Sequence, residues 1–126
     1  MAKVLVIEDN AANMTLAVFL LTSAKHAVIT AVDAEAGLAL ARAEQPDLIL
    51  MDIQLPGMDG LEATALLKAT KGTRDIPVIA LTALAMKGDE ERIRAAGCDG
   101  YIAKPVSYKA FLATIAAHLA NKSITA

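Results

Sequence analysis

Charged and hydroxyl side chains stand where apolar runs stop. Glu8 and Asp9 follow Val4–Ile7, Asp52 follows Leu48–Met51, Thr82 follows Val78–Leu81, and Lys104 follows Gly100–Ala103. A carboxylate at the end of a buried strand is costly unless something compensates it. Carboxylates crowded together repel, and a divalent cation resolves the repulsion. Mg²⁺ suits this set, because it prefers carboxylate, carbonyl and water oxygens and keeps positions open for phosphate. Zinc does not suit it. There is a single cysteine, Cys98, and His26 and His118 lie far apart and away from these run ends. An aspartate beside such a cation can attack a phosphoryl group and form an aspartyl phosphate. That transfer needs in-line positioning and neutralised charge more than elaborate acid–base groups. Lys104 would supply charge as a compact cation, and the Thr82 hydroxyl a hydrogen bond to a phosphoryl oxygen.

Each residue also has an ordinary reading. Asp9 would cap a helix at Asn10–Met14, Asp52 would start a turn, Thr82 would cap a helix, and Lys104 would be a solvated surface lysine. What points to a site is their conjunction, an acid pair after the first run, Asp after the third, Thr after the fourth and Lys-Pro after the fifth.

These residues need a scaffold that brings run ends together. Short aliphatic runs at Val4–Ile7, Ala27–Ala31, Leu48–Met51, Val78–Leu81 and Gly100–Ala103 read as strands. Ala- and Leu-rich stretches at 11–24, 34–44, 59–70, 86–96 and 107–120 read as helices. Alternating strand and helix predicts parallel strands with helices on both faces, and the continuous apolar strands suit that burial. Pro46 ends the second helix, Gly97 ends the fourth, and Ser107 stands as an N-cap for the last. In an open parallel sheet ligands bind beyond the carboxyl ends of the strands, where all the chemical residues fall. The chain is read as one domain over 1–126, with a core of about 3–120 and a frayed tail at 121–126.

Composition excludes other classes. Hydrophobic residues make up 56% and charged residues 21% of 126 residues, which argues for a packed aliphatic core rather than disorder. A net charge of −2 argues against nucleic-acid or anionic membrane partners. No apolar run approaches the ~20 residues of a membrane helix, and the start Met1-Ala2-Lys3 does not read as a signal peptide. The expectation is a soluble, cytoplasmic protein. The first helix is apolar nearly all round, at Met14, Leu16, Ala17, Val18, Phe19, Leu20 and Leu21. This is ordinary variation or a surface for a partner.

The stretches VLVIEDN, PDLILMDIQLPGMDG, IPVIALTA and GCDGYIAKP resemble the receiver domain of bacterial two-component response regulators, the CheY-like family, over about residues 3–120. The stretch ALTALAMKGDEERIRAAGCDGYIAKP is similar to single-domain cell-cycle regulators of the DivK type. The resemblance implies an α/β, flavodoxin-like (βα)5 fold with a five-stranded parallel sheet in the order 2-1-3-4-5. It implies Asp52 as phosphoacceptor. Asp9, Asp52 and the Gln54 backbone carbonyl would hold Mg²⁺, with Mn²⁺ able to substitute, and Glu8 would act through water. Thr82 and the Ala83 amide would hold the phosphoryl group, Lys104 would pair with it, and the Lys104–Pro105 bond would be cis. Tyr101 would rotate as Thr82 moves, switching the face made by the fourth helix, fifth strand and fifth helix.

A signalling phosphoacceptor rather than an enzyme is implied. Its donor would be a sensor histidine kinase or histidine phosphotransferase, its target an effector protein, and its state a monomer or weak homodimer. Gln54 and Leu84 would tune dephosphorylation. The alternative is a receiver-like module that binds partners without phosphorylation. A haloacid-dehalogenase phosphatase is disfavoured because Gln54 stands where its second aspartate would be, and a flavin binder because Glu8 and Asp9 would repel a flavin phosphate.

Overall fold

The computed structural model describes residues 2–82, 87–104 and 107–125, the side chains of 87, 88 and 121–125 excepted. Strands and helices alternate as β1 (Lys3–Ile7), α1 (Ala11–Ser23), β2 (Ala27–Ala31), α2 (Ala34–Glu44), β3 (Leu48–Asp52), α3 (Gly60–Ala69), β4 (Val78–Thr82), α4 (Lys87–Ala95), β5 (Gly100–Ala103) and α5 (Tyr108–Thr125). The five strands form one parallel sheet in the order β2-β1-β3-β4-β5. This is the expected fold. Asp52 and Thr82 close their strands rather than following them, so both sit inside the hydrogen-bonded ladder. The final helix continues through Thr125, past the expected end near residue 120, and takes in most of the stretch expected to fray.

The strands that carry the site are buried throughout: β3 and β4 have no exposed residue, and Val4–Ile7 of β1 are fully covered. One face packs Val4, Val6, Leu48, Leu50, Ile79 and Leu81 against Leu20 and Leu21 of α1 and Phe111 and Ile115 of α5. The other packs Leu5, Ile7, Ile49, Met51, Val78 and Ala80 against α2, α3 and α4. Alternate residues of each strand thus serve opposite faces, which is why these runs carry no polar residue until their last position.

Caps set where the helices begin. Asn10, not Asp9, caps α1, its side chain accepting from Asn13 N–H at 3.0 Å. Asp33 and Asp59 do the same for α2 and α3. At the ends, Gln45 takes a left-handed conformation before Pro46, and Gly97 does so with φ of 104° after α4. Ser107 C=O accepts from Phe111 N–H at 2.9 Å, the first helical bond of α5.

Candidate functional site

The order in which strands are added changes sides at β1: β2, the next strand in sequence, lies on one side of it and β3 on the other. The crevice at the carboxyl ends of β1 and β3 is therefore the topological switch point, where parallel α/β sheets take ligands. Glu8 and Asp9 emerge there from β1, Asp52 ends β3 beside them, Thr82 ends β4, and Lys104 follows β5. Lys104 N–H donates to Thr82 C=O at 2.8 Å, so the ladder itself sets where that lysine starts. The next link is tight. Gly60, the first residue of α3, lies so close to Asp52 that a Cβ there would collide with the Asp52 carbonyl oxygen and come within 2.8 Å of Ile53 Cα. Only glycine fits against the backbone that presents Asp52.

Charge is concentrated and largely dry. Glu8 and Asp52 are 1% and 3% exposed, whereas Asp9 is exposed. Lys104 Nζ lies 3.0 Å from Glu8 Oε1 and 3.4 Å from Asp52 Oδ1. Asp52 Oδ1 also accepts from Gln54 N–H at 3.0 Å, and Glu8 Oε2 from Asn10 N–H at 3.3 Å. Glu8 Oε1 is neutralised by Lys104 but, buried, has no aligned hydrogen-bond donor. Two buried carboxyl groups thus share one ammonium. Burial, then the hydrogen bond and charge of Glu8, push Asp52 up to about 7 against the pull of Gln54 N–H and Lys104. Burial also opposes the Glu8 charge, but the Asp52 carboxyl, Lys104 and Asn10 N–H hold Glu8 below its ordinary value.

The residues fit a hard divalent cation. Glu8, Asp9 and Asp52 each bring an oxygen to within 4.8 Å of the others, all donors are oxygens, and Glu8 Oε1 still lacks a hydrogen-bond partner. Among the described residues, no histidine or cysteine joins them. Thr82 is buried at 1% exposed, and Tyr101 on β5 is half-buried against the α2–α4 core. Gln54 is exposed. Ala83, Leu84 and Pro105 lie outside the described residues, so the expected amide donor, tuning position and cis bond do too. Sequence reasoning treated Glu8 and Asp9 as a pair. In the fold they separate, and Glu8 alone of the two pairs with Lys104.

The chain matches the response regulator receiver domain over residues 4–116. It belongs to that family. It is 50% identical to the polar-differentiation response regulator DivK of Brucella ovis over 94% of this chain and 96% of that protein. Among solved structures, the receiver domain of the sensor histidine kinase PA1611 from Pseudomonas aeruginosa superposes with a TM-score of 0.88. The two share 34% identity over 94% of this chain and 98% of that one, and that structure holds a magnesium ion in its active-site cleft. The chemotaxis response regulator CheY4 of Vibrio cholerae superposes with a TM-score of 0.89 at 27% identity, over 94% and 98% of the two chains. The chain is thus a response regulator receiver of two-component signalling, a family that generally signals rather than catalyses. Its acidic cluster has the composition of a magnesium site. No helix among the described residues is long and apolar enough to cross a membrane.

Proposed function

We propose that Asp52 is the phosphoacceptor, taking a phosphoryl group from a phosphohistidine on a sensor kinase or histidine phosphotransferase. One observation carries the reading: a buried aspartate at the sheet's switch point, with a lysine 3.4 Å away and a second buried acid on that lysine. An Asp52 carboxylate oxygen attacks phosphorus, the O–P bond forms, and the P–N bond breaks with its electron pair leaving on the imidazole nitrogen. The attacking oxygen must be unprotonated, and in the metal-free protein burial and Glu8 push the Asp52 carboxyl up to about 7. Lys104 passes from pairing two carboxylates to pairing the phosphoryl oxygens, and the Thr82 hydroxyl and Ala83 amide donate to them. Asp9, Asp52 and the Gln54 carbonyl would hold Mg²⁺, or Mn²⁺ in its place, with Glu8 acting through water. When bound, the ion neutralises the carboxylates and the incoming phosphoryl charge.

The switch is the pair Thr82 and Tyr101. Drawing Thr82 toward phosphate opens space beside β5 that the half-buried Tyr101 ring fills, altering the α4-β5-α5 face. The donor docks on α1. That helix buries Ala17, Leu20 and Leu21 but leaves Leu16 and Phe19 exposed at 41% and 66%. With Tyr108 and Leu112 of α5 they line an apolar groove of about 570 Å³. Phe19→Glu should slow transfer from a histidine donor and leave acetyl phosphate labelling unchanged; equal loss with both would remove α1 from the donor contact. The output is a protein contact or phosphate relay in the cytoplasm.

Intact-mass spectrometry after acetyl phosphate treatment tests the reading. One added phosphate that requires both Mg²⁺ and Asp52 supports it. No adduct, together with no Mg²⁺-dependent beryllofluoride binding, would leave a module that binds partners without phosphorylation.

A further inference from the structure

Beside the Glu8–Lys104 pair, on the face of the sheet covered by α1 and α5, lies a cavity of about 130 Å³. Among the described residues, neither Asp9, Asp52 nor Thr82 lines it, so it is distinct from the place where phosphate would be taken up. Ala17, Leu81 and Phe111 form its walls, each no more than 4% exposed, which sets the cavity within the core. The exposed Leu16 lines both this cavity and the α1–α5 groove, so it stands between the cavity and solvent. Two charged side chains reach the cavity. Lys104 Nζ lies 3.0 Å from Glu8 Oε1, and that buried oxygen has no aligned hydrogen-bond donor.

We propose that this cavity binds a neutral, single-ring molecule carrying one hydroxyl, of the phenol class. Size sets the ring: an apolar cavity of about 150 Å³ holds benzene, so this one accommodates a single six-membered ring and little more. Water alone suits it poorly, because each water needs two to four polar partners and the three buried walls offer none. Charge sets the neutrality. Glu8 repels an anion, Lys104 repels a cation, and paired they leave no net charge for a ligand to balance. Hydrogen bonding sets the hydroxyl. It donates to Glu8 Oε1 and can accept from the Lys104 ammonium, whereas a ring N–H can only donate. Phe111 and the aliphatic walls take the ring. A carboxylate has about four acceptor sites, so Glu8 has the capacity to serve a metal-bound water as well as this ligand. Binding needs no phosphate on Asp52, yet it places a small molecule against the lysine on which the site depends.

The test is an NMR titration of the full chain with phenol and, separately, with benzene, following the methyl signals of Ala17 and Leu81. Phenol should shift both signals saturably and bind roughly tenfold more tightly than benzene, the worth of a hydrogen bond to a charged acceptor. Ala17→Leu fills the cavity and should abolish the saturable shifts. Should A17L fail to fold, nuclear Overhauser contacts from the phenol ring to the Ala17 and Leu81 methyls of the wild type decide the matter in its place. Shifts that do not saturate, contacts from the ring to other residues only, or phenol binding no tighter than benzene would overturn the proposal. So would loss of the phenol preference in saturating Mg²⁺, which would return the Glu8 oxygen to the ion.

Discussion

Each end of the sheet sets a lysine against an aspartate, and the two ends treat charge in opposite ways. At the amino end, Lys68 Nζ donates to Asp99 Oδ2 at 2.8 Å, to Ile76 O at 2.9 Å and to Arg74 O at 3.3 Å. Asp99 Oδ2 also accepts Val78 N–H at 2.8 Å. Cation matches anion there, and the pair ties α3, β4 and the loop before β5 together. At the carboxyl end, Lys104 faces two acids, its contact with Asp52 is 3.4 Å, and a buried Glu8 oxygen has no hydrogen bond. Matched charges fasten the fold. Mismatched, buried charges are costly by themselves, and a cation and a phosphoryl group would relieve that cost.

The contrast yields opposite outcomes for removing a charge at each end. The largest effect is on function: Asp52→Asn should abolish phosphate incorporation from acetyl phosphate, read by intact mass. Next comes Gly60→Ala. A methyl group has no room against the Asp52 carbonyl, and thermal or denaturant unfolding should show a loss of about 3 kcal/mol. Asp99→Ala should then cost about 1–2 kcal/mol by leaving Val78 N–H without its acceptor and Lys68 without its carboxylate partner, while phosphate incorporation proceeds at the wild-type rate. If D99A instead blocked incorporation without loss of stability, the division between a structural end and a chemical end would break.

The smallest effect has the opposite sign. Asp52→Asn should stabilise the metal-free protein by about 1 kcal/mol at pH 8, after allowance for solvent and Lys104 screening. The pH dependence follows from Asp52 being raised to about 7. The folded protein holds that proton more tightly than the unfolded chain, so wild-type stability falls relative to the variant as pH rises from the ordinary carboxylate range to about 7. Above that the difference is constant. Melting temperatures of both proteins measured across this range check the sign. Mg²⁺ affinity of the wild type, followed by calorimetry, should weaken on acidification below about pH 7, because the proton on Asp52 competes with the ion.

The frame of the molecule was legible because apolar runs and their stops are local signals. Every strand and helix falls within a few residues of its expected place, and the acids, threonine and lysine after those runs converge because the sheet is parallel. Other features depend on tertiary contacts that carry no local pattern. Glu8 and Asp9 are adjacent in sequence, yet one is buried against Lys104 and the other is exposed, since successive residues leaving a strand point opposite ways. The Lys68–Asp99 pair joins residues 31 apart in the chain. The helix cap at Asn10 rather than Asp9 shows a smaller limit, because both residue types cap well and only the backbone decides between them.

The most direct test of the account is to locate the phosphoryl group. The protein would be treated with acetyl phosphate and Mg²⁺, the acyl phosphate reduced with borohydride, and peptides sequenced by mass spectrometry. Homoserine at position 52 alone is the expected result. Reduction at Glu8 or Asp9, or no reduced residue in a folded, Mg²⁺-loaded sample, would contradict the claim that the buried Asp52 beside Lys104 is the group that accepts phosphate.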